Sequence, residues 1–88
     1  MSSYVYLLEN EKGNNYLGST NNPSIRLKEH NSGQTSATKG KGPWSILKIW
    51  EFDNIVQAKR IEYKIKNTKK KLTVENVSEL VEWFKIKD

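Results

Sequence analysis

The chain has 88 residues, a net charge of +5, a sequence pI near 9.5 and no cysteine, which holds it to one domain with a modest core, no disulfide framework and no thiolate metal site. A single histidine excludes a multi-histidine zinc site. With no apolar run long enough for a membrane span and no signal-peptide pattern, the expectation is a soluble intracellular protein whose partner is a polyanion rather than a membrane, most simply nucleic acid.

Tyr4-Val5-Tyr6-Leu7-Leu8 is β-prone and reads as a buried strand, with Tyr4, Tyr6 and Leu8 on one face and Val5 and Leu7 on the other. Glu9 to Asn15 is a polar turn in which Gly13 can supply a positive φ. Tyr16-Leu17-Gly18-Ser19 returns as the second strand of a hairpin, with Tyr16 and Gly18 on the same face. Gly18 leaves room there for a close approach by backbone or ligand. A turn and helix follow: Asn22 can cap, Pro23 suits the first helical position, and Gly33 lies just past the end. Arg26 and His30 are four apart and share a helix face. Beside a strand-end Tyr they form either a phosphate site or a plain solvated face.

Asn31 to Pro43 is a long flexible loop with Gly33, Gly40 and Gly42 and the cations Lys39 and Lys41, a composition suited to covering a binding site or simply to a surface connection. Trp44 to Phe52 is the third strand, with Trp44, Ile46, Lys48, Trp50 and Phe52 expected on one face and Leu47 and Ile49 on the other. Its tryptophans read as core rather than as base-stacking platforms. Asp53 or Asn54 caps a second helix, roughly Ile55 to Thr68, whose apolar stripe is Ile55, Ala58, Ile61 and Ile65. Glu62 falls inside that stripe. A carboxylate there needs a partner, either a structural cation or a metal ion at the core edge. Thr73 caps a third helix, about 73–86, with Val74, Val77, Leu80, Val81 and Phe84 inward and Trp83 at its margin. The order β-β-α-β-α-α is that of an α+β domain over 1–88, a small three-stranded antiparallel sheet flanked by helices.

Tyr4-Val5-Tyr6 followed by Tyr16-Leu17-Gly18 resembles the paired motif of the GIY-YIG nuclease superfamily. Gly18-Ser19-Thr20-Asn21, Arg26-Leu27, His30-Asn31-Ser32-Gly33, Gly42-Pro43-Trp44 and Arg60-Ile61-Glu62 continue the pattern, over about 4–70. Small single-domain members resembling the N-terminal cleavage domain of the excision-repair nuclease are most similar. Tyr4 stands where the name has Gly, and Leu17 where it has Ile. Both changes spare the functional tyrosines.

The resemblance implies an endonuclease that hydrolyses phosphodiester bonds in DNA with one divalent metal, Mg²⁺ or Mn²⁺. Glu62 matches the metal ligand, and Arg26 the arginine on the scissile phosphate, where a planar guanidinium can grip two oxygens. Tyr6, Tyr16 and His30 match the groups around the attacking water. Either tyrosine can be the general base, with His30 assisting. Asn67 and Asn76 are candidates for a late metal-side asparagine. Lys39, Lys41, Lys64, Lys66, Lys69, Lys70 and Lys71 are expected to contact backbone phosphates away from the cut, giving affinity without sequence information. No zinc finger or helix-turn-helix is evident for base readout, so low sequence specificity, recognition of a DNA structure or targeting by a protein partner is expected. The alternative is a non-catalytic nucleic-acid-binding module on the same fold. A further rival is an interaction domain that docks a partner on the third helix.

Overall fold

Alternation along the first strand sets the layout. In the structure, a computed structural model describing residues 2–87, β1 (Ser3–Asn10) is the central strand of a three-stranded antiparallel sheet. It lies between β2 (Asn15–Thr20) and β3 (Trp44–Phe52), with α1 (Pro23–Asn31), α2 (Ile55–Asn67) and α3 (Val74–Lys87) completing the expected α+β order. Val5 and Leu7 point to one face, where they join Leu17, Trp50 and Phe52 against Ala58, Ile61 and Ile65 of α2 and Val77 and Val81 of α3. Tyr6 and Leu8 point to the other face and pack with Trp44, Tyr16, Leu27 of α1 and Ile46.

The turn and cap residues act as their chemistry dictates. Asn10 Oδ1 accepts from the backbone N–H groups of Lys12 and Asn14, and Gly13 has φ +82°, which closes the hairpin so that Tyr6 pairs with Gly18 and Leu8 with Tyr16. Asn22 Oδ1 accepts from Ile25 N, Pro23 opens α1, and Gly33 takes φ +81° beyond its end. Asn54 caps α2 by accepting from Gln57 N. That helix stops at Asn67, one residue short of expectation, with Thr68 as its C-cap and Lys69 turning to φ +59°, the left-handed conformation that ends a helix.

β3 departs from the simple alternation. Leu7 pairs with Lys48 and Leu8 with Ile46, so Leu47 has no partner of its own and forms a bulge. One extra residue reverses every side chain beyond it. Trp44 and Ile46 therefore face α1, whereas Trp50 and Phe52 face α2 and α3, rather than all sharing one face. Both tryptophans are buried and act as core, at on the order of 2–3 kcal/mol each for side chains of this size. The loop from 32 to 43 is pinned rather than loose. Asn31 brackets Trp44 through N–H···Oδ1 and Nδ2–H···O bonds, Asn10 Nδ2 donates to Lys41 O, and Thr38 is buried. On α3, of the four residues the third-helix rival would use, Val81 is buried, Leu80 and Phe84 are partly buried against the core, and Trp83 is more than half exposed.

Candidate active site

The rings of Tyr6, Tyr16 and His30 meet on the α1 face of the sheet, and Glu62 is tied to the same strand pair through Ser19 of β2 and through Lys66, which lies over the Tyr16 ring. Tyr6 enters from β1, Tyr16 from β2, Arg26 and His30 from α1, and Glu62 from α2. Tyr6 lies directly over Gly18. A Cβ placed on Gly18 would sit 2.5 Å from Tyr6 Cζ, so glycine is required by the tyrosine ring rather than by a turn. The ring–ring distances are 6.4 Å for Tyr6–Tyr16, 5.7 Å for Tyr6–His30 and 5.0 Å for Tyr16–His30. The Tyr6 hydroxyl is 2.8 Å from His30 Nε2, and both side chains are buried.

Burial pushes the Tyr6 phenol up to about 12; the adjacent Arg26 guanidinium pulls it down, while Tyr16 and Glu62 add to the rise. Tyr6 therefore rests protonated. Burial lowers the His30 pKa, helped by the Arg26 charge and opposed by Glu29, so the imidazole rests neutral at pH 7. Arg26 Nη1 is 2.8 Å from Glu29 Oε1, and the side chains of this pair remain about one-third exposed. Glu29 thus aims the guanidinium without using all of its donors.

Glu62 is half-buried at the core edge. Ser19 Oγ donates to its Oε1 at 2.6 Å, and Lys66 Nζ is 2.7 Å from its Oε2. The cationic partner expected from the stripe is thus Lys66, one turn along the helix. The donor set fits a hard divalent cation that keeps most of its waters: one carboxylate, a serine hydroxyl beside it, and a lysine exposed enough to swing away. Among the described residues no three His, Cys, Asp or Glu side chains cluster as a fully protein-built metal cage.

Lys66 is the expected backbone-contact residue that sits elsewhere. Its Nζ also lies 5.2 Å from the centre of the Tyr16 ring, inside the site rather than away from it. Lys64 reaches back to the Phe84 ring at 5.5 Å. Lys39 and Lys41 are exposed on the loop, and Lys69, Lys70 and Lys71 on the α2–α3 connection. Asn76 is occupied with that connection, donating to Lys71 O, while Asn67 ends α2, exposed. Three participants were missed in the sequence. Ser19 and Glu29 hold Glu62 and Arg26, and Thr38 Oγ1 stands 2.7 Å from His30 Nδ1. Only Glu29, three residues from Arg26 on one helix, carried a readable signal.

Residues 2–76 match the sequence model of the GIY-YIG catalytic domain. The chain belongs to the GIY-YIG family. A UPF0213 protein of Halalkalibacterium halodurans is 35% identical over 79 residues, covering 89% of this chain and 84% of that one. A UPF0213 protein of Clostridium perfringens is 36% identical over 87 residues, covering 98% and 89%. The structure-specific endonuclease subunit SLX1 of Mus musculus is 38% identical over 68 residues, covering 67% of this chain but 25% of that subunit. A solution NMR structure of a UPF0213 protein from Bacillus halodurans superposes with a TM-score of 0.48 at 34% identity, over 94% of this chain and 85% of that one. In this chain the two GIY-YIG tripeptides occupy paired strands, and the register opposes the Tyr of the first to the Gly of the second. No helix among the described residues is long and apolar enough to cross a membrane.

Proposed function

We propose that this chain is a metal-dependent endonuclease that hydrolyses phosphodiester bonds in DNA with little sequence preference of its own. The observation that supports the reading most is the meeting of Tyr6, Tyr16 and His30 through their rings, with Arg26 beside the Tyr6 phenol and Lys66, the partner of Glu62, over the Tyr16 ring. A binding module needs only the exposed lysines. It has no use for a buried tyrosine–histidine pair beside an arginine.

Arg26 binds the scissile phosphate through the guanidinium donors that Glu29 leaves open and stabilises the charge that develops on the phosphoryl oxygens. Tyr6 is favoured over Tyr16 as the group that takes the water's proton, because its own proton has an acceptor 2.8 Å away in His30 Nε2. As the water oxygen bonds to phosphorus, its proton passes to the Tyr6 oxygen and the Tyr6 proton to His30. The P–O bond to the leaving strand breaks, and that oxygen takes a proton from solvent. Tyr16, half-buried beside His30, orients the water. Glu62 would hold Mg²⁺ or Mn²⁺, with Lys66 released toward a phosphate. The bound ion supplies Lewis-acid stabilisation of the phosphoryl and leaving oxygens.

The likeness to a structure-specific endonuclease subunit supports branched DNA as the substrate class, and a protein partner as a source of targeting. The test is single-turnover cleavage of branched DNA and supercoiled plasmid by the wild type, Arg26→Ala and Glu62→Ala. Loss of cutting in both variants with binding retained is expected. Binding with no cutting by any of the three would favour the binding module.

A further inference from the structure

We propose that Thr38 is a positioning residue that fixes the tautomer of His30, so that His30 Nε2 is unprotonated and ready to accept the Tyr6 proton. This rests on the proton path proposed above and deepens it. The direction of each hydrogen bond follows from what the groups are able to do. The Arg26 guanidinium beside Tyr6 can only donate, so it offers the Tyr6 proton no acceptor. Gly18, packed beneath that hydroxyl, offers no side chain. The acceptor the structure sets within reach of the Tyr6 proton is His30 Nε2, 2.8 Å away. A neutral imidazole that accepts at Nε2 must carry its proton at Nδ1. Nδ1–H then donates to Thr38 Oγ1 at 2.7 Å, and the Thr38 hydroxyl has its own acceptor in Thr35 O at 3.4 Å. The chain runs one way, from Tyr6 through His30 and Thr38 to a backbone carbonyl.

Thr38 is held for this task. It is buried, and Trp44 Nε1–H donates to its carbonyl at 3.3 Å, which fixes its backbone against a core side chain. When His30 takes the proton, both of its N–H groups have acceptors, Tyr6 oxygen on one side and Thr38 Oγ1 on the other. The loop between α1 and β3 thus completes the proton path from behind. That is a different task from gripping phosphate with Lys39 and Lys41.

His30 is the only histidine in the chain, so its ring nitrogens give one unambiguous pair of ¹⁵N signals. The experiment is long-range ¹H–¹⁵N NMR on the full chain at pH 7.5, for wild type, Thr38→Ser, Thr38→Val and Thr38→Ala, with single-turnover cleavage of branched DNA alongside. The expected result is the Nδ1–H tautomer in wild type and Thr38→Ser. Thr38→Val and Thr38→Ala should lose that preference and cut roughly 10- to 100-fold more slowly, the range for losing a buried acceptor in a general-base path. An Nε2–H tautomer in wild type would overturn the proposal, as would an unchanged tautomer and rate in both variants. If Thr38→Val does not fold, the wild-type tautomer and the Ser/Ala pair still decide. The tautomer is read without substrate or metal. A chain that shows Nδ1–H but cuts nothing overturns the nuclease reading and spares the tautomer. A chain that cuts at full rate as Thr38→Ala overturns this inference alone.

Discussion

Gly18→Ala should damage the site more than any other single-methyl addition. The new Cβ would lie 2.5 Å from Tyr6 Cζ and 3.0 Å from Cε1, whereas carbon atoms rest about 3.5–4.0 Å apart. The tyrosine ring must move by about 1 Å, and its packing against Leu8 and Trp44 leaves it little room. Overpacking of this kind costs about 1–3 kcal/mol. The same shift stretches the 2.8 Å bond to His30 Nε2 past the useful limit. Leaving that buried pair unmade adds about 1–3 kcal/mol. Gly18 has no positive φ, so none of the cost is backbone strain. At about 4–8 °C per kcal/mol for a domain of this size, Gly18→Ala should lower Tm by roughly 8 °C or more. The assay is thermal unfolding of Gly18→Ala, Tyr6→Leu and the double variant. The alanine should cost far less in the Tyr6→Leu background, where the ring is gone. A Gly18→Ala protein that melts within about 3 °C of wild type would refute the reasoning.

The remaining expectations follow from charge. Tyr6 is raised from 10.0 to about 12, so the fold favours its protonated form, and the stability this gives is complete below pH 10 and lost as pH rises toward 12; Tyr6→Phe should flatten that loss in urea titrations. His30 is lowered from 6.5, so its contribution is present above that pH and lost as pH falls below it; cleavage should fall over the same range, and His30→Gln should show a smaller acid loss of stability. Glu62→Gln should abolish Mn²⁺ binding by calorimetry while changing Tm by only about 2–4 °C, because the Lys66–Glu62 pair is open to solvent on the lysine side. Lys69→Ala, Lys70→Ala and Lys71→Ala together should weaken binding to all DNA sequences alike, and the slope of log affinity against log salt should fall by about 0.9 for each phosphate no longer neutralised.

Much of the fold was legible because its signals are local. Alternation grouped Tyr6 with Leu8 and Tyr16 with Gly18, α1 was bounded by Asn22, Pro23 and Gly33, and Glu62 stood out as a charge within an apolar stripe. The bulge at Leu47 was not legible, because Ile46, Leu47, Ile49 and Trp50 are apolar in both registers and alternation cannot choose between them. Thr38 was hidden in a run of small polar residues that reads as loop, and only the fold brings it behind His30. The tyrosines are equivalent in the motif and become distinct only in space, where Tyr6 alone has its hydroxyl bonded to His30 and Tyr16 lies under Lys66. Lys66 itself looked like one more cation in a basic run, and its role depends on being one helical turn from Glu62.

The measurement that bears most directly on the proposed function is single-turnover cleavage of a branched DNA by the full chain with Mg²⁺ or Mn²⁺. It should be run beside Glu62→Ala, Arg26→Ala and a chelator control. Cutting by the wild type alone, abolished by chelator and by either substitution, is the expected result. Cutting that survives chelator or Glu62→Ala would contradict a site built on a Glu62-held metal.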